Sequence, residues 1–60
     1  MPSDFEQRAN RIACDIVEKT MLWHVAAGNP KMATDGIYLN QVYEWAYQRA
    51  LAVFAEAVKQ

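Results

Sequence analysis

The sequence predicts an all-α fold, an antiparallel hairpin of two helices. Two long segments repeat their apolar side chains every three or four positions, which is the period of a helix with one buried face. A short stretch with glycine and proline, GNPKMATDG, separates them. Because so short a connection makes consecutive helices antiparallel, residues 1–60 are expected to form a single helical-hairpin domain.

The first helix is expected over about residues 4–27. It opens with a capping box, SDFE, in which the Ser3 hydroxyl and the Glu6 carboxylate each accept a hydrogen bond from a free backbone N–H. Gly28 suits the position just beyond the helix, and Pro30 prevents continuation. The apolar side chains trace one face: Phe5, Ala9, Ile12, Ala13, Ile16, Val17, Thr20, Trp23 and Ala27.

The second helix is expected over about residues 36–58, after a loop at about 28–35 that ends in Thr34 or Asp35 as the cap, with Asn40 as a later alternative start. Its apolar surface covers half the circumference, more than the stripe of about 100° that one neighbouring helix needs. Half a circumference is enough for two neighbours, and only one of them can be the first helix. The members are Leu39, Val42, Tyr43, Ala46, Tyr47, Ala50, Leu51, Val53, Phe54, Ala57 and Val58.

The small size of the chain favours an oligomer. Sixty residues is near the lower limit for independent folding, and Cys14, the single cysteine, cannot form an internal disulfide. Two hairpins are therefore expected to pair as a homodimeric four-helix bundle. A monomeric hairpin, or one completed by a helix of another protein, is the alternative. The predicted seam consists of Leu39, Val42, Ala46, Ala50, Val53 and Ala57, and Phe5 should meet Phe54 and Val58 at the open end of the hairpin.

No catalytic, cofactor or metal site is expected. Cys14 and His24 lie ten positions apart on one helix, about 15 Å along its axis, so they cannot form a nucleophile–base pair within one subunit. Cys14 is interpreted as a small buried residue. His24 is interpreted as a half-buried residue at the helix end, with a pH-sensitive partner contact as the alternative. Paired carboxylates on an apolar face and glycine-rich phosphate loops are absent from the sequence.

Charge and hydropathy narrow the partners and the location. A net charge of −1 gives no electrostatic attraction to nucleic acid or to an anionic membrane. The uncharged stretches are too short and too polar to span a bilayer, the N-terminus lacks the apolar region of a secretory signal, and one free cysteine fits a reducing cytoplasm. Nucleic-acid binding remains an alternative, because dimerisation could bring Arg8, Arg11 and their symmetry mates onto one surface.

Trp45 is the main indication of function. It falls outside the apolar half of the second helix, with Tyr38 seven positions before it and Arg49 one turn after it. These three residues form an aromatic stripe about 16 Å long, and Trp, Tyr and Arg are the types enriched at interface hot spots. Leu22, on the polar face of the first helix, is a weaker indication of the same kind.

The sequence therefore predicts a non-enzymatic protein-binding module, an adaptor or inhibitor of the size typical of bacterial and phage accessory proteins, whose partner-binding residues are Tyr38, Trp45, Arg49 and Leu22. A rotation of the second helix by about 40° would instead place Trp45 in the homodimer seam. An RNA- or DNA-binding hairpin dimer and a purely structural self-assembling protein are the other candidates.

Overall fold

The computed structural model describes residues 3–59 and contains two long helices. Helix α1 spans Asp4–Ala26, and helix α2 spans Gly36–Lys59. A single turn of 3₁₀ helix, Met32–Thr34, lies in the connection between them and packs on both. The two long helices pack against each other along their length, which confirms the predicted all-α hairpin.

Side-chain caps start both long helices. The Ser3 hydroxyl accepts a hydrogen bond from the backbone N–H of Glu6 at 3.1 Å. At the start of α2, Asp35 Oδ1 accepts hydrogen bonds from the backbone N–H groups of Ile37 and Tyr38, each at 3.1 Å. Each cap satisfies N–H groups of the first turn, which have no partner within the helix. Of the caps predicted for α2, the structure therefore uses Asp35.

Glycine ends α1. Gly28 has a φ of +82°, in the left-handed region that a residue without a Cβ adopts at low cost. This conformation turns the chain back, so that the backbone N–H of Asn29 donates to the carbonyl of His24 at 2.9 Å. The same geometry satisfies carbonyl groups in the last turn of many helices. The helix therefore stops at Ala26, immediately before the turn that leads into the second helix.

Alanine forms the contact between the helices. Ala9 and Ala13 of α1 and Ala46 and Ala50 of α2 are buried, and we call these four residues the alanine layer. Ala33 of the 3₁₀ turn is the fifth buried residue of the described range, and within residues 3–59 no side chain larger than alanine is buried. The larger apolar side chains consequently lie on either side of the alanine layer, half-buried or exposed.

Aromatic residues close the two ends of the hairpin. Phe5 and Phe54 stack at the open end with ring centroids 5.4 Å apart, as the sequence predicts. At the loop end, His24 Nε2 and the Tyr38 hydroxyl form a hydrogen bond of 2.8 Å between α1 and α2. These contacts fix the two helices relative to each other at positions far apart along the hairpin.

The predicted burial of Cys14 is wrong. The thiol is exposed, and its Sγ lies 3.9 Å from Asn10 Oδ1 on the same helix. The contact face of α1 is centred on Ala9 and Ala13, and one residue step of 100° carries Cys14 away from it. The preference of free cysteine for protein interiors is a tendency of the residue type, and the position on the helix overrides it here.

Candidate functional site

The residues predicted for the dimer seam fall into three groups. Ala46 and Ala50 are buried against α1 of the same chain, within the alanine layer. Leu39 and Val42 are half-buried beside that layer, whereas Val53 and Ala57 are exposed. Two of the three alanines of the predicted seam therefore make the intramolecular contact, and part of the wide apolar surface of α2 stays uncovered.

Two adjoining grooves run along one side of the hairpin. The first has a volume of about 230 Å³ and the second about 320 Å³, and their surfaces are mainly apolar. Ile16 of α1 and Trp45 of α2 line both grooves, so the two share a central wall. We call the lining residues together the groove face: Ile12, Ile16, Thr20, Tyr38, Gln41, Val42, Trp45, Ala46, Arg49, Ala50, Val53 and Phe54.

Trp45 projects from the middle of the groove face. Its side chain is 66% exposed although its neighbours are mainly apolar. Trp23 is also 66% exposed, yet it lines neither groove, and its ring packs edge-on against the imidazole of His24. Exposure alone therefore does not distinguish the two tryptophans. Trp45 differs because it separates two hollows that side chains from outside the chain could enter.

The other predicted binding residues occupy different positions. Arg49 is exposed and is the one ionised side chain among the residues that line the two grooves. Tyr38 is half-buried and contributes its ring to the second groove, while its hydroxyl is held by His24. Leu22 is exposed but lines neither groove. The structure thus brings Tyr38, Trp45 and Arg49 to one face and leaves Leu22 apart from them.

Two isoleucines of the groove face were not predicted as binding residues. Ile12 is exposed and Ile16 half-buried, and both line the first groove opposite Trp45. The sequence pattern assigns them to the contact with α2, because they belong to the same apolar stripe as Ala9 and Ala13. The helix geometry could have indicated this, because three residue steps place Ile12 about 60° from Ala9 around the helix, at the edge of the contact with α2.

A second, more polar face lies on the other side of the alanine layer. Glu6, Gln7, Asn10, Tyr43 and Tyr47 line a hollow of about 240 Å³ there, and we call these five residues the polar face. The hydroxyl of Tyr43 donates a hydrogen bond to Asn10 Oδ1, and the rings of Tyr43 and Tyr47 stack with centroids 5.9 Å apart. Partial burial raises the pKa of the Tyr43 hydroxyl, with a smaller contribution from the Cys14 thiolate.

Two ion pairs form between neighbouring side chains of α1. Arg8 Nε lies 3.1 Å from Asp4 Oδ2, and Lys19 Nζ lies 2.9 Å from Asp15 Oδ2. All four side chains are more than half exposed, so these pairs contribute little to stability. They place a carboxylate beside Arg8 and beside Lys19, which weakens the positive potential that a nucleic-acid phosphate would meet there.

Neither a metal-binding cluster nor a membrane-spanning helix is found among the described residues. Residues 3–59 contain no cluster of three or more His, Cys, Asp and Glu side chains that could hold a metal ion. His24 contacts Trp23 and Tyr38. Within the same range, neither long helix combines the length and apolar character that crossing a bilayer requires.

Comparison with protein-family models, with curated proteins and with solved structures finds no match to this chain.

Proposed function

We propose that this chain is a small non-enzymatic protein-binding module, an adaptor or an inhibitor, and that it binds through the groove face. The observation that carries the proposal is the position of Trp45, a largely exposed tryptophan at the junction of two apolar grooves. Contiguous apolar surface of this kind marks sites of protein–protein contact. The exposed thiol of Cys14 fits a reducing compartment, so the proposed location is the cytoplasm.

The chemistry of the groove face suits a protein partner. Trp45 offers a large, rigid apolar surface with one N–H donor, which is the character of an interface anchor. Arg49 can lay its aliphatic stem along the groove wall and keep its guanidinium at the rim, where a carboxylate of the partner would pair with it. Side chains spaced three and four apart on a partner helix would fill the two hollows on either side of Trp45.

A comparison of two tryptophan variants tests the proposal. Trp45→Ala and Trp23→Ala remove the same side chain from sites of equal exposure, but Trp45 alone lines the grooves. Each tagged variant and the wild type are used to capture proteins from a lysate of the source cells, and the captured partner is then purified and titrated by calorimetry. We expect Trp45→Ala to weaken binding by roughly thirtyfold or more, the scale of a hot-spot truncation of about 2 kcal/mol.

Circular dichroism should first show that the three proteins are equally helical. A partner that Trp23→Ala retains and Trp45→Ala loses supports the proposal. A partner that binds all three proteins equally would place the contact elsewhere on the chain. If the captured ligand is RNA or DNA, and its affinity falls steeply with salt and with the double change Arg8→Ala and Arg11→Ala, the nucleic-acid alternative replaces the proposal.

A further inference from the structure

The hairpin is a single layer of helices. It measures 43 × 23 × 13 Å, so its thinnest dimension is close to the diameter of one helix with its side chains. Its radius of gyration is 13.4 Å, whereas a compact domain of this length has about 10.4 Å. Stable domains bury the apolar faces of their elements between at least two packed layers. Within residues 3–59 no second layer covers the groove face.

The exposed area gives the size of the missing contact. The folded chain exposes 4726 Å² of surface. A compact monomer of 6.9 kDa exposes about 4000 Å², so this chain exposes an excess of roughly 700 Å². Each partner in a standard stable interface buries about 800 Å². The uncovered area therefore matches one interface of ordinary size on each chain.

The groove face has the features that a symmetric pair requires. In a two-fold dimer the same patch serves both subunits, so a projection and the hollow that receives it must lie on one face. Trp45 is such a projection, and the grooves on its two sides are such hollows. A two-fold axis through this face would seat the Trp45 ring of each copy beside Ile12 and Ile16 of the other.

The charge of the chain and the small size of its core also favour a second copy as the occupant of the groove face. A chain with a net charge of −1 is repelled only weakly by its own copy. Arg49 is the one ionised side chain of the groove face, and its long stem lets the guanidinium reach solvent at the edge of a contact. Because the buried residues of the described hairpin are all alanines, a second layer would add the larger apolar core that one hairpin lacks, and another copy is always present where the chain is made.

We infer that a second copy of this chain covers the groove face, so that two hairpins form a four-helix bundle with the two Trp45 side chains at its centre. This inference rests on the proposed function, because it names the occupant of the same surface. A target protein that binds the groove face has to displace the second copy, and target binding therefore weakens as the protein concentration rises.

A matched pair of valine variants tests the inference. Val53 and Val25 are each 55% exposed in a helix, but Val53 lines the first groove and Val25 lines neither groove. Sedimentation velocity should give the wild type and Val25→Glu twice the mass of the 6.9 kDa chain. A charged carboxylate placed in this apolar contact loses its hydration even where Arg49, one turn before it, can reach it, so the dimer Kd of Val53→Glu should rise on the order of a hundredfold. In Val25→Glu the Kd should change less than about threefold, as for a substitution outside the contact.

Thermal unfolding of the wild type provides a second measurement that does not depend on any variant. The Tm of a dimer rises with protein concentration, whereas the Tm of a monomer does not. The inference is supported by three results together. The Tm of the wild type rises with protein concentration, Val25→Glu stays dimeric, and Val53→Glu is either a folded monomer or unfolded. A monomeric wild type with a constant Tm overturns it, and so does a Val53→Glu dimer as tight as the wild type.

The two proposals fail in different experiments. Sedimentation uses purified protein alone, so a monomeric wild type would overturn the dimer and leave the capture of a target by Trp45 untouched. A dimer whose variants capture the same proteins from the lysate would overturn the proposed target binding and leave the dimer standing. In that case this chain would be better described as a purely structural self-assembling protein.

Discussion

The two faces of the hairpin use their aromatic residues in opposite ways. On the polar face, Tyr43 donates its hydroxyl proton to Asn10 and stacks on Tyr47, so its polar and apolar parts both have partners within the chain. On the groove face, Trp45 projects between two hollows and is 66% exposed. Aromatic content alone therefore does not mark a binding surface. The difference is whether the ring already has a partner in its own chain.

The contrast follows from the position of the alanine layer on α2. Tyr47 lies one residue beyond Ala46 and Trp45 one residue before it, so a step of 100° in each direction sends the two rings to opposite sides. Across from Tyr43, α1 presents the amide of Asn10, whereas across from Trp45 it presents Ile12 and Ile16. The neighbouring helix therefore decides which face is complete.

The largest loss of stability is expected for substitutions in the alanine layer, because this layer holds the two helices together and so maintains both faces. Ala46 is 2% exposed and Ala55 is exposed, both within α2. Ala46→Glu would bury an unpaired carboxylate, a change that costs several kcal/mol. A core of this size rarely supplies more than about 3–5 kcal/mol. We therefore expect Ala46→Glu to lose its helical circular dichroism at 25 °C, and Ala55→Glu to melt within a few degrees of the wild type.

A folded Ala46→Glu protein would show that the helices can separate at this point without loss of the hairpin. The groove face and the polar face would then not both depend on the packing of the alanine layer. The Ala55→Glu control excludes a general effect of glutamate on α2, since glutamate is a good helix former.

The architecture could be predicted from sequence because its signals are local. The apolar period, Ser3 before α1, Asp35 before α2 and Gly28 after α1 each depend on residues close in the chain. The stack of Phe5 on Phe54 also followed, because an antiparallel hairpin with a short connection leaves little freedom in register. Periodicity and caps determine where helices begin and end, and the loop length determines how they pair.

The site could be predicted only in part, because its geometry depends on how each helix is rotated about its axis. Periodicity indicates that α2 has a wide apolar surface, but it does not show which part meets α1. The alanines take that contact, and this choice places Trp45 and Ile16 in a shared wall. Cys14 was misplaced for a different reason, because the general tendency of free cysteine to be buried was followed although its position lies about 100° from the alanine contact.

A smaller effect is expected on the polar face. Tyr43→Phe removes the hydrogen bond to Asn10 and keeps the ring stacked on Tyr47, so we expect a loss of about 0.5–1 kcal/mol in the free energy of unfolding. Asn10→Ala should cost about the same, and the double variant little more, because both single changes remove one interaction. Tyr47→Phe is the control, since the structure of residues 3–59 gives its hydroxyl no hydrogen bond. Urea unfolding at pH 7 measures all four.

Additive losses for Tyr43→Phe and Asn10→Ala would contradict this description of the polar face, because they would mean that the two side chains act independently. If the proposed dimer forms, its Kd supplies a further check that separates the two faces. None of these changes touches the groove face, so the Kd of each variant should equal that of the wild type. A weaker dimer would instead show that the polar face takes part in the contact between copies.

The smallest effect on stability is expected at alkaline pH, and it arises from Tyr43 of the polar face. Partial burial raises the pKa of Tyr43 above its ordinary value of 10.0. Between the two pKa values the folded protein therefore binds more protons than the unfolded chain, and stability falls as the pH rises past about 10. The hydrogen bond with Asp15 raises the pKa of Lys19 in the same direction, but Lys19 is present in both the wild type and Tyr43→Phe. We therefore expect the stability advantage of the wild type over Tyr43→Phe in urea unfolding to be constant between pH 7 and pH 9 and to shrink above pH 10. An advantage that grows above pH 10 would mean that the folded state favours the ionised phenolate, and Tyr43 would then not be a donor to Asn10.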